Sequence, residues 1–405
     1  MEKYRKFADA SNGIQPFTLS VIPNLLGKVM TPVMFPIRVL FVLVFGLILL
    51  LVDTVIFLLF YPLHLLPLSR YVGLVFLQKC ALKGFFFFLG HVLVRERPCE
   101  AEGRTAYGDV FFVNCQSVWD AMVVEVLLND PFVFYCFPKP AATPDGGEGT
   151  NLQCFPPSPL QRWRVWWYVY RTGTRPALSA LAEQQGFFEK GPQCPLVCLE
   201  EAQQWARGRK CRVVFFPEGT CTNGKGVLRL PHIRCRANSG SVRGGTRAFS
   251  VNSITLYYES DALKTVCQEH PQSTFRSVVS VFYRAAIHLY GTAPPSPVSF
   301  FPYVEGRIQT NVAGVVISVA GGHEGGDGLF TLLSPTAGHQ LQQLLCCQNL
   351  SNNRNISVRT RLPDGVKMQP LTVQWKDKLG FVSAYYASKA ADGGVPVSGE
   401  TKKKK

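Results

Sequence analysis

The residues best suited to chemistry stand together near the middle of the chain. Glu218, Gly219 and Thr220 directly follow Val213-Val214-Phe215-Phe216-Pro217 and precede Cys221-Thr222-Asn223-Gly224-Lys225. Four apolar residues read as a short buried strand, and Pro217, with no N–H to give a ladder, ends it. Glu218 then falls at the C-terminal end of that strand, where open α/β sheets hold their ligand crevices. A carboxylate, a glycine that admits close backbone approach and a hydroxyl suit a polar headgroup. The same stretch satisfies G-x4-G-K, the core of a phosphate-binding loop. Gly226 stands where the magnesium-holding hydroxyl belongs, and Val227-Leu228-Arg229-Leu230-Pro231 is too short for the helix that must follow, which argues against a nucleotide triphosphatase. No G-x-S-x-G elbow occurs, so a serine hydrolase has no support.

Phe216-Pro217-Glu218-Gly219-Thr220 resembles a signature of the glycerolipid acyltransferases, which move an acyl chain from acyl-CoA to a lysolipid hydroxyl. That family carries His-x4-Asp upstream, with the His as general base and the Asp holding it. Here Asn114-Cys115-Gln116-Ser117-Val118-Trp119-Asp120 keeps the spacing, the flanking Asn and the Asp, but has Cys115 at the His position. The chain is most similar to a fungal branch, that of the yeast lysophosphatidic acid:oleoyl-CoA acyltransferase, which also has Cys there. The likeness runs through Met1-Glu2-Lys3-Tyr4, Gly13-Ile14, Pro16-Phe17, Asn114-Cys115, Ser117, Asp120-Ala121, Glu218-Gly219-Thr220, Asn223-Gly224-Lys225, Val227-Leu228 and a basic tail.

The resemblance implies an α/β acyltransferase fold, a mixed sheet flanked by helices, behind an N-terminal membrane hairpin or transmembrane helix. It implies Cys115 and Asp120 as the catalytic pair. Glu218, Gly219 and Thr220 would line the acceptor headgroup, and Arg171, closing an aromatic stretch, would hold the lysolipid phosphate, with Arg175 as its competitor. Acyl-CoA is the co-substrate and a lysophospholipid the acceptor; no bound cofactor and no metal are expected.

Cys is not a simple stand-in for His. An imidazole becomes a cation on taking a proton, and a nearby Asp stabilises it; a thiolate becomes neutral. Asp120 therefore raises a Cys115 thiol by like-charge repulsion, while a helix N-terminus just after Ser117 lowers it. Two readings follow. In one, Cys115 accepts the acyl group by thioester exchange and passes it to the lysolipid. In the other, Cys115 is a small buried residue in a lipid-binding or trafficking protein that has lost catalysis.

The elements that must position these residues follow from pattern. Asp109-Val110-Phe111-Phe112-Val113 reads as a strand, and Ala121-Met122-Val123-Val124-Glu125-Val126-Leu127-Leu128 as the helix after the Cys115 loop. Residues 138–160, rich in Pro, Gly and Thr, read as an inserted loop. Trp163-Arg164-Val165-Trp166-Trp167-Tyr168-Val169-Tyr170-Arg171 reads as an aromatic strand, residues 177–205 as one or two helices broken at Gly191-Pro192, and Val251-Asn252-Ser253-Ile254-Thr255-Leu256-Tyr257 as a further strand. The core thus spans residues 101–262. Residues 263–392 read as alternating strands and turns of no assigned role.

Ahead of the core lie a cytosolic segment (1–38), an apolar anchor (39–70) and a stretch (71–100) that suits either an amphipathic interfacial segment or the first helix of the soluble domain. The apolar run from 39 to 68 would make about 45 Å of helix at 1.5 Å per residue, against a hydrocarbon core of about 30 Å. Basic residues on both flanks fit a hairpin, and a single tilted span fits nearly as well; it does not suit a cleavable leader.

Forty-two Lys and Arg against 27 Asp and Glu give a net charge of +15, part of it in the tail at 393–405 and part in Arg234, Arg236, Arg243 and Arg247. With no recognition fold for nucleic acid, the excess points to anionic membrane lipids. Lys402 and Lys403 match a dilysine address, which is read only on a cytosolic C-terminus; the expected place is the cytosolic face of the endoplasmic reticulum membrane, with lipid droplets as a further site. The 13 cysteines show no metal or disulfide spacing and are expected reduced on that face. Asn349-Leu350-Ser351 and Asn355-Ile356-Ser357 match the glycosylation pattern but would be inert there. Nothing in the sequence sets the oligomeric state.

Overall fold

The computed structural model describes residues 2–18, 25–60, 73–90, 92–98, 106–128, 130, 132–142, 148–173, 199–230, 234–236, 248–249, 252–266, 274–291, 303–309, 317–318, 329–331, 335–346, 368–375 and 377–393. Seven strands form one mixed sheet: β1 (Leu93–Pro98), β2 (Val110–Val113), β3 (Val133–Ala142), β4 (Glu148–Phe155), β5 (Arg212–Phe215), β6 (Asn252–Tyr258) and β7 (Tyr303–Gln309), in the order β1-β7-β6-β2-β5-β3-β4. The middle four, β6, β2, β5 and β3, run parallel. Parallel strands covered on both faces need apolar residues at every position, which is why Val110-Phe111-Phe112-Val113 and Val213-Val214-Phe215 carry no alternation.

Two layers of helices cover those faces. Phe111, Val113, Val214 and Phe216 point into a cluster with α2 (Gly73–Gly90), α3 (Asp120–Leu128), α4 (Gln161–Tyr168) and α6 (Thr274–Gly291). Val110, Phe112, Val213 and Phe215 point the other way, to α5 (Leu199–Gly208) and α7 (Pro335–Leu345). A third, smaller cluster joins the N-terminal segment to α8 (Asp377–Gly393): Phe17, Leu228, Val266 and Phe381 are buried there, with Tyr4 and Phe7 packed against them.

The long apolar helix α1 (Leu25–Val55) starts well before residue 39 and continues as a π-helical turn, Ile56–Phe60. Its stretch Val29–Leu58 is long and apolar enough to cross a membrane. It is two-faced: Val42, Leu49, Val52 and Ile56 are buried, α2 and α6 pack on it, and Val33, Leu40, Leu47 and Leu51 are exposed. Asp53, the acid that interrupts the apolar run, is bonded to the Arg162 guanidinium of α4, which also holds Glu125 of α3. Gln78 of α2 donates to the other Asp53 oxygen at 3.2 Å. The turn of a hairpin would fall in residues 61–72, outside the described residues.

Three expectations are corrected, and one left open between two readings is decided. Residues 163–171 are helical, α4 followed by the π-turn Val169–Gly173, not a strand. Buried Arg162, Val165, Trp166, Val169 and Tyr170 recur at helical spacing, and that period outweighs the strand preference of aromatic side chains. The inserted loop at 138–160 is largely a hairpin of β3 and β4, flanking residues 143–147, which are outside the description. Pro138 and Pro140 are tolerated because β3 pairs with β5 only as far as Cys136, leaving one side of the strand without a neighbour in the sheet. Among the described residues, 263–392 hold three helices, α6 to α8, besides strands. In residues 71–100, α2 buries Leu82, Phe85, Phe86 and Leu89 in the main core, which makes it a helix of the folded domain. The glycosylation patterns, most of residues 177–205 and the basic tail from 394 lie outside the described residues.

Candidate active site

Strand β2 runs out at Val113, and the next residue holds the turn open. Asn114 Nδ2 donates to the Leu256 carbonyl at 3.0 Å and its Oδ1 accepts the Leu256 N–H at 2.7 Å. Its amide thus continues the β2–β6 ladder with side-chain atoms while the backbone turns away. Asp120, the first residue of α3, reaches back over the loop: its Oδ2 accepts the N–H groups of Gln116 at 2.6 Å and Ser117 at 2.9 Å, and its Oδ1 accepts the Tyr258 hydroxyl at 2.5 Å. Four-residue spacing is what this reach requires, so the Asp fixes the loop that presents residue 115.

The second loop leaves the adjacent parallel strand β5. Glu218 accepts the Cys115 N–H at 2.7 Å on one oxygen and the Leu228 N–H at 2.9 Å on the other. The Cys115 carbonyl accepts the Thr222 N–H at 3.0 Å. Both sides of the Cys115 peptide are thereby tied to the Glu218–Thr222 loop, and the Cys115 and Cys221 sulfurs lie 3.3 Å apart. The loop needs glycine twice. Gly219 has φ +66° and Gly224 φ +70°, and a Cβ at residue 224 would stand 2.2 Å from Gln116 Oε1.

Two remote parts of the chain close over this pair of loops. Asn223 donates its backbone N–H to the Pro16 carbonyl at 2.8 Å and its amide to the carbonyls of Gln15 and Thr18 at 2.7 and 3.0 Å. From α8, Lys378 Nζ donates to Thr220 Oγ1 at 2.9 Å and to the Cys221 carbonyl at 2.7 Å, 5.7 Å from the centre of the Phe17 ring. The result is an enclosed site: Cys115 is 2% exposed, Glu218 1% and Lys378 0%.

Enclosure governs the charges. Burial raises the Asp120 carboxyl to about 7, against the bonds from Tyr258, Ser117 and Gln116, and raises Glu218 to about 8, against those from Leu228 and Cys115. The hydrogen bond with Cys221, then burial, push the Cys115 thiol well up, with Asp120 and Glu218 adding like-charge repulsion. Tyr258 is pushed up as well, by burial and by Asp120. Lys378 is the positive charge that favours Glu218 ionised. Near neutral pH the site therefore presents a neutral thiol beside an Asp120 carboxyl close to half-ionised.

Cys115, Asp120, Glu218, Gly219 and Thr220 come together as the sequence indicates; Arg171 does not join them. It lies in the π-turn after α4 and shares no hydrogen bond or ion pair with these residues. The buried arginine of this region is Arg162, committed to Asp53 and Glu125. Among the described residues no cluster of His, Cys, Asp and Glu suits a metal ion. No protein-family profile, curated protein or solved structure matches the chain. Three participants escaped the sequence reading. Cys221 stands inside the Glu218 motif and Tyr258 directly follows the strand expected to end at Tyr257, so both were within reach; nothing around Lys378 marks it.

Proposed function

We propose that this site transfers an acyl chain from acyl-CoA to the hydroxyl of lysophosphatidic acid or a related lysophospholipid, on an acyltransferase-like fold. The observation that carries the reading is the Cys115 N–H to Glu218 bond. It joins two loops 103 residues apart at the C-terminal ends of adjacent parallel strands, where the family resemblance requires its two motifs to meet. In the first step Cys115 Sγ attacks the thioester carbonyl as its thiol proton passes to Asp120, the carbonyl–sulfur bond to CoA breaks, and Asp120 returns that proton to the leaving CoA sulfur. In the second the lysolipid oxygen attacks the Cys115 thioester, its proton leaves through Asp120, and Cys115 is restored as a thiol. Thioester exchange is close to isoenergetic, and a carboxyl near 7 is matched to proton transfer at neutral pH. The exposed apolar face of α1 suits insertion into a membrane, from which both lipid substrates would arrive. Because the site is enclosed, loading requires the 2–18 segment or α8 to move aside.

The second reading is a lipid-binding protein without catalysis, favoured by the buried and raised Cys115 thiol. Purified full-length protein with labelled acyl-CoA and a lysolipid panel separates the two. The first expects product, a hydroxylamine-sensitive acyl group on the chain, and loss of both in Cys115→Ala and Cys115→Ser. An inert wild type beside an active Cys115→His would establish the second.

A further inference from the structure

We infer that Cys115 and Cys221 are a redox-active dithiol, a modification site in which a peroxide joins the two sulfurs as a disulfide. Their sulfurs lie 3.3 Å apart, already in van der Waals contact. The Thr222 N–H to Cys115 carbonyl bond of 3.0 Å ties the Cys115 backbone to the residue next to Cys221, which holds the two sulfurs within reach of each other. Both residues sit in loops beyond the strand ends, where side-chain rotation does not have to break a ladder. In the reaction an S–S bond forms, both S–H bonds break, and the two electrons and two protons pass to hydrogen peroxide, which leaves as two waters. A small oxidant is required because Cys221 is 0% exposed, and the reaction proceeds through opening of the enclosing segments. The oxidised pair removes the Cys115 sulfur from any acyl chemistry, yet the dithiol itself does not depend on that reading.

Cys136 and Cys154 form a second close pair, 3.6 Å apart across the β3–β4 ladder, so the assay must tell the pairs apart. Full-length reduced protein is titrated with hydrogen peroxide, alkylated under denaturing conditions and digested without reductant for mass spectrometry. The expected result is a Cys115–Cys221 cross-linked peptide, two hydrogens lighter than the sum of its parts, in most of the chains at the highest peroxide dose. It is lost with dithiothreitol, and in Cys221→Ser Cys115 reappears as the alkylated thiol. Cys115 and Cys221 both alkylated in the wild type at that dose, Cys115 found as sulfinic acid, or Cys115 joined to any other cysteine would overturn the inference. A folded Cys136→Ser variant must still yield the Cys115–Cys221 cross-link; its loss there would equally overturn it.

Discussion

Replacing Glu218 by Gln exposes the energetics of a carboxylate held between two backbone donors. Burial raises the Glu218 carboxyl from 4.5 to about 8. A group raised on folding stabilises the native state fully below its unfolded value, and that contribution is lost as pH rises through the folded value. At about 1.4 kcal/mol per pH unit, ionisation of Glu218 in the unfolded chain, which the native site resists, removes about 3 kcal/mol of stability between pH 4.5 and 7, and about 4 kcal/mol by pH 8. Glu218→Gln does not titrate, so it escapes this loss. It suffers another, because its amide NH2 must face the N–H of either Cys115 or Leu228, donor against donor, at about 1–3 kcal/mol at every pH. The two stability curves therefore cross: the variant is the weaker at pH 5 and the stronger at pH 8. Denaturant unfolding in detergent micelles, followed by tryptophan fluorescence at pH 5, 6, 7 and 8, reads the crossing. Asp120, raised to about 7, adds a slope of its own in both proteins, so the crossing and not the absolute slope is the quantity read. Parallel curves from pH 5 to 8 would refute the buried-carboxylate argument.

Arg162→Met leaves Asp53 and Glu125 without their shared cation and should cost about 3–5 kcal/mol, whereas the triple change Asp53→Leu, Glu125→Leu, Arg162→Met should regain most of it; equal stability of the two variants in denaturant titrations would show that the charges are not coupled. Lys378→Met withdraws the bonds to Thr220 and Cys221 and should speed iodoacetamide labelling of Cys115 at least several-fold in otherwise native protein, an unchanged rate arguing that α8 does not close the site. The intact chain should stay with membranes in alkaline carbonate and removal of residues 1–70 should weaken that attachment strongly; quantitative release of the intact chain would exclude α1 as an integral anchor.

The parallel centre of the sheet was legible because its strands are short apolar runs ending in polar motifs, as at Val113-Asn114 and Phe216-Pro217-Glu218. Asp120 was marked only by the resemblance, as the partner of residue 115; that it holds its own loop through Gln116 and Ser117 emerges from the fold. Arg171 was misplaced for a physical reason: Trp, Tyr and Val favour strands locally, yet Arg162, Val165, Trp166, Val169 and Tyr170 share a helical face that only burial reveals. Pro138 and Pro140 signalled a break, but a strand whose second neighbour has ended can keep them. Lys378 was invisible because a lone lysine in a stretch read as strands and turns carries no motif, and only the fold brings its ammonium to Thr220 and Cys221. Pro16-Phe17 and Asn223, far apart in sequence, meet in the fold, where Asn223 binds the backbone on either side of Phe17.

Lys378 also fixes an order of events during synthesis. Phe17 leaves the ribosome first, then the apolar helix, then Cys115 and Glu218, and the ammonium that secures the Glu218 loop comes 158 residues after its partner Thr220. Until then the chain presents paired thiols and two carboxyl groups with no cover from α8. Contacts of such sequence separation form slowly, since a long loop must close before they return any energy. The nascent chain is therefore most open to oxidants and stray acyl donors while α1 is already made, and ribosome stalling shortly before residue 378 would capture that unfinished state.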